Sequence, residues 1–139
     1  MRLSQHTVAL ALLLAPGSIG SIASVAHPAP VCPEYRVASG VTVDGTAFFD
    51  AHPRAGELCA DGVTCVTAEP PGTPAVLFIP VARPGELRLR VTITARGGAP
   101  LLDALVYVRV RHVVFDAACG IAADRGSVRV TAAGSLVTG

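Results

Sequence analysis

From Leu87 onward the chain alternates apolar and polar side chains. Leu87, Leu89, Val91, Ile93 and Ala95 fall on one face, and Arg88, Arg90, Thr92, Thr94 and Arg96 on the other. A period of two in β-branched residues predicts a half-buried antiparallel strand. A 3.6-residue period would instead scatter the arginines around a cylinder. The sequence Gly97–Gly98–Ala99–Pro100 interrupts the pattern, which then resumes. Val106, Val108, Val110 and Val114, with His112 among them, share one face, while Tyr107, Arg109 and Arg111 share the other. Ser127–Ala132 repeats the alternation on a smaller scale.

The first half carries shorter elements. Tyr35–Val43 reads as a strand, and Asp44–Gly45 as a turn before a strand over Thr46–Phe49, which would put the Phe48 and Phe49 rings on opposite faces. Leu58–Ala68 resembles a hairpin, and Glu69–Pro70–Pro71–Gly72–Thr73–Pro74 is a connection. Ala75–Ala82 is an apolar strand in which Pro80 lacks a ladder donor, so it belongs at an edge or a bulge. Short strands separated by Gly/Pro turns predict an all-β, antiparallel β-sandwich of about seven strands.

The N-terminus is of another kind. Thr7–Ala15 is a short apolar run after a weakly basic start; Pro16–Gly17 break it, and Ser24–Val25–Ala26 offers the small residues a signal peptidase reads. This is the pattern of a secretory signal peptide over residues 1–26, with the run well short of the roughly 20 apolar residues of a membrane span. No cysteine follows at the lipidation position. The expected mature chain, residues 27–139, is one domain with no membrane span, and it would be secreted or held at the cell surface. Its Pro-rich residues 27–34 form a lead-in rather than an element.

Charge removes one class of partner. The chain has no lysine; taking Arg2 from its eleven basic residues leaves ten against ten acidic ones. A neutral domain is a poor ligand for nucleic acid or an anionic membrane, so no nucleic-acid role is expected. The four cysteines, Cys32, Cys59, Cys65 and Cys119, all follow the expected cleavage point, and an even count in an exported chain predicts two disulfides. Three pairings are arithmetically open. Cys59 and Cys65 flank a short turn and are placed to face each other, which leaves Cys32 for Cys119. Zinc would need a tighter CxxC spacing than these positions offer.

The segment ELRLRVTITARGGAPLLDALVYVRV resembles the bacterial immunoglobulin-like repeats of invasin and carboxypeptidase-regulatory-like type. There a strand is followed by a G-x-P-L-x-x-A-x-V-x-V step, matched here by Gly98, Pro100, Leu101, Ala104, Val106 and Val108. Ala123–Val130 looks like the step before the penultimate strand of such domains. The resemblance spans about residues 86–134. It implies an Ig-like sandwich and is silent about ligands. In such domains a further strand follows, whereas this sequence runs out at Ser135–Gly139. The last strand is therefore expected to be missing, with its place filled by the N-terminal half, left as an open edge, or lost through truncation.

Candidate chemistry is sparse. Asp50 and His52 offer two metal ligands where structural zinc wants four. Ser127, His112 and Asp103 or Asp116 make a nominal Ser–His–Asp set, but no G-x-S-x-G elbow presents the serine. Cys119 as a nucleophile competes with its use in a disulfide. Gly97–Gly98 leads into a strand and not a helix N-terminus, so it is no phosphate cradle. The turn aspartates lack the calcium-loop spacing, and the absence of tryptophan weakens a stacked carbohydrate platform.

No catalytic, cofactor-binding or metal-binding residue is assigned, and no cofactor is expected. By elimination the sequence reads as a non-enzymatic structural or adhesive module acting on a protein partner or on copies of itself, by strand addition in its sharpest form. Arg88, Arg90, Tyr107, Arg109 and Arg111 are the interface candidates. A small ligand- or glycan-binding domain is the alternative reading, and a secreted hydrolase the remote one.

Overall fold

The structure is a computed structural model that describes residues 26–139, so the expected signal segment lies almost wholly outside the described residues. Eight strands and one short helix follow in chain order: β1 (Gly40–Asp44), α1 (Thr46–Ala51), β2 (Ala55–Ala60), β3 (Thr64–Thr67), β4 (Val76–Pro80), β5 (Gly85–Ala95), β6 (Pro100–Asp116), β7 (Ile121–Val130) and β8 (Leu136–Thr138). The fold is all-β.

The strands form a path β3-β2-β5-β6-β7-β1-β4, with β8 paired to β7. The two ends of the path come together, since β3 and β4 touch, and the sheet curls almost into a barrel. This departs from the antiparallel β-sandwich expected from the sequence. Every ladder is antiparallel except that of β1 and β7, which run parallel from Gly40 opposite Arg125 to Asp44 opposite Arg129.

β6 makes the curl. No glycine or proline interrupts residues 101–119, so the strand continues for 17 residues. Its first part pairs with β5, from Pro100 to Val110, and its last part with β7, from Arg111 to Asp116. One strand thus belongs to both halves of the sheet. The core lies inside the curl, where Val41, Val43, Phe49, Leu58, Leu89, Val91, Ile93, Val108, Val128 and Val130 are essentially inaccessible. The alternation expected over residues 87–95 is realised, with Leu89, Val91 and Ile93 buried and Arg88 and Arg90 exposed.

Four local expectations change. Thr46–Phe49 is helical rather than extended: the Asp44 carboxylate accepts the Thr46 N–H at 2.9 Å, and the Gly45 carbonyl accepts from Phe48 and Phe49. Adjacent residues of a helix lie about 100° apart, where those of a strand oppose each other, so one turn buries both rings. Strand structure begins at Gly40, not Tyr35; residues 26–39 form no regular element. His112 and Val114 continue the inward row of β6, but beyond Val110 the strand has left the core, and both are exposed. Lastly, Leu136–Thr138 pairs with Val128–Val130 as β8, so the strand thought to be missing is present. Pro80 ends β4, which lies at one end of the path, in keeping with its missing donor.

Candidate contact surfaces

Both expected disulfides are formed. Cys59 and Cys65 sit directly opposite each other in the β2–β3 ladder, and Cys32–Cys119 ties the N-terminal arm to the β6–β7 turn across 87 positions. Glu57, Cys59 and Cys65 are the only group of at least three metal-ligand side chains gathered among the described residues. The disulfide consumes two of them.

The nominal catalytic set does not assemble. His112 pairs across the ladder with Asp124, its Nδ1 being 3.0 Å from Asp124 Oδ1. Ser127, an odd number of residues from Asp124 along the same strand, points to the opposite face. Asp103 is taken by Arg90, and Asp116 accepts the Cys119 backbone N–H at 3.1 Å. His52 caps its own helix: the ring stacks on Phe48 at 3.9 Å between centroids, and Nδ1 lies 2.8 Å from the Phe48 carbonyl oxygen.

Four of the five interface candidates come together. On the outer face of the β5–β6 ladder, Arg88 lies opposite Tyr107, Arg90 opposite Leu105 and Glu86 opposite Arg109. Tyr107 and Leu105 are 60% and 61% exposed and stand two residues apart on this face. Arg90 grips Asp103 diagonally through two N–H···O contacts, Nε to Oδ1 at 2.7 Å and Nη2 to Oδ2 at 2.5 Å. The hydrogen bond from Arg90, aided by the opposite charge, holds the Asp103 carboxyl below the usual carboxylate range. The Arg90 backbone is fixed as well, because its N–H donates to Asp61 Oδ1 and its carbonyl accepts from the Asp61 N–H, each at 2.8 Å. The result is a rigid, mixed-charge face with an aromatic residue and a leucine standing out of it.

Arg111 lies elsewhere. It sits where β6 passes from β5 to β7, directly across from Arg125. Sequence reasoning missed Arg125, which becomes notable only through the register. Its guanidinium carbon lies 5.4 Å from the Phe78 ring centroid and 5.9 Å from that of Phe115. Its Nε is buried without a hydrogen-bond partner. Around this pair is a groove of about 500 Å³ whose lining includes Thr42, Val113, Phe115 and Ser127. It opens at a seam: β6 pairs with β7 only as far back as Arg111, and beyond it β8 begins to pair at Val128.

The chain matches no protein-family model, and neither a curated protein nor a solved structure gives a significant match to it.

Proposed function

We propose that the protein is an exported, non-enzymatic adhesive module that acts by protein–protein contact through the outer face of β5 and β6. The observation that carries this reading is the exposed pair Leu105 and Tyr107, set among Arg88, Arg90 and Arg109 on a face stiffened by the Arg90–Asp103 ion pair. Aromatic and arginine side chains on a rigid support are the residue types that anchor protein interfaces. Glu86 adds an acidic group to the same face, so it carries both signs of charge, as an interface between two copies about a two-fold axis would use. Two disulfides accord with an extracellular setting. β8 pairs with β7 where a missing strand was expected, and β3 and β4 end the path without a ladder between them, so strand addition has those two short edges to use.

Sedimentation velocity of the disulfide-intact chain, from micromolar to millimolar, tests this. Concentration-dependent association that weakens in high salt, and is lost when Leu105 and Tyr107 are both changed to Ser, is expected. A strictly monomeric chain over that range overturns self-contact. Ester, peptide or glycoside hydrolysis abolished by His112→Ala overturns the non-enzymatic reading.

A further inference from the structure

Arg111 and Arg125 stand directly across from each other in the β6–β7 ladder. Like charges in that position repel, and neither arginine is in salt-bridge reach of a carboxylate among the described residues. A protein that only needed this sheet to be stable would not place them so; conflicts of this kind between local pairing and stability gather at functional sites.

Three further features point to a ligand. The Arg125 guanidinium lies over the rings of both Phe78 and Phe115, contacts that favour one orientation before anything binds. Its Nε is the one buried side-chain nitrogen or oxygen among the described residues without a hydrogen-bond partner. The groove beside it is lined by Val113 and Phe115, 37% and 51% exposed, together with Thr42, Ser127 and Gly139.

We propose that this seam groove binds a small monocarboxylate carried on an apolar or aromatic body. A planar carboxylate matches the guanidinium fork of Arg125 and neutralises the repulsion with Arg111. The apolar body covers Val113 and Phe115, the exposed apolar side chains that line this shallow groove. A bare inorganic anion would leave the apolar walls wet, and a neutral apolar molecule would leave the two charges opposed. The groove adjoins the β5–β6 contact face, Arg111 being two residues beyond Arg109 on the same outward row of β6, but Leu105 and Tyr107 lie outside its lining, so their double variant separates the two readings.

Titration of the disulfide-intact chain with phenylpropionate, followed by amide NMR and calorimetry, is the test. Saturable shifts centred on Val113, Arg125, Gly126 and Ser127 are expected. Phenylpropanol, which has the same body without the charge, should bind about tenfold more weakly or worse. Arg111→Gln changes an exposed side chain and leaves the fold intact; it should weaken binding, as should Arg125→Lys, which keeps the charge and loses the planar fork. Leu105→Ser with Tyr107→Ser should leave binding unchanged. Absence of saturable shifts, equal binding of the alcohol, equal competition by sulfate, or indifference to both arginine variants overturns the proposal.

Discussion

The Cys32–Cys119 bridge allows a test in which two magnitudes differ enough to choose between. The bridge closes a chain segment with a sequence separation of 87. If residues 26–39 were packed firmly, removing the bridge would release the unfolded chain from that whole loop, a loss of about 4.6 kcal/mol on the chain-entropy relation. The arm is not packed firmly. Residues 26–36 are exposed, Val31 and Tyr35 conspicuously so, and the first side-chain anchor to the sheet is Ser39, whose Oγ accepts the Asp124 N–H at 2.9 Å. Cutting the bridge therefore also frees the folded protein, over the seven positions from Cys32 to Ser39. What remains is the difference between closing the long loop in the unfolded chain and the short one in the folded chain, about 2 kcal/mol on logarithmic loop-length scaling. Urea unfolding of a Cys32→Ala, Cys119→Ala variant that keeps Cys59–Cys65 measures it directly. A loss near 2 kcal/mol, with the β6 and β7 amides still protected from exchange, is expected. A loss above about 4 kcal/mol would refute the loose-arm reasoning, since it would mean the arm packs as part of the domain.

Gly40→Ala should cost about 3 kcal/mol or more in the same assay: a Cβ there would collide with the Phe78 ring and come within 2.5 Å of the Ile79 carbonyl oxygen, and the backbone cannot step aside. Gly126→Ala should cost less, because its tightest contact, 2.8 Å to Val108 Cγ1, is with a side chain. Phe49→Ala should cost about 3–5 kcal/mol and lower the melting temperature, whereas a residue on an outward strand position would cost little. Carboxyl NMR titration should find Asp103 below the ordinary carboxylate range and Arg90→Gln should bring it back. The stability that pair lends is present above the ordinary carboxylate titration and is lost as pH falls through the lowered Asp103 value. High salt should shrink it, since both partners are exposed.

The alternation of residues 87–95 and 106–110 was enough to specify strands, their inward rows and the exposure of Arg88, Arg90, Tyr107 and Arg109, because side-chain direction in a strand follows parity alone. The hairpin at Cys59–Cys65 was equally legible: a short turn between two β runs sets the register locally, and the bridge follows from it. The second bridge then followed by elimination. Elsewhere the sequence was mute or misleading, once over a local turn and otherwise where the outcome depended on partners distant in the chain. Phe48 and Phe49 read as a strand until Asp44 and Gly45 supplied the bonds of a helical turn. His112 lay on an apolar row, yet the row runs past the end of the core. The near-closure of the sheet, the parallel β1–β7 ladder and the seat of β8 are long-range pairings. So is the meeting of Arg111 with Arg125 between two phenylalanine rings. Parity fixes which way a side chain points from its own strand; only the folded sheet decides what stands opposite it.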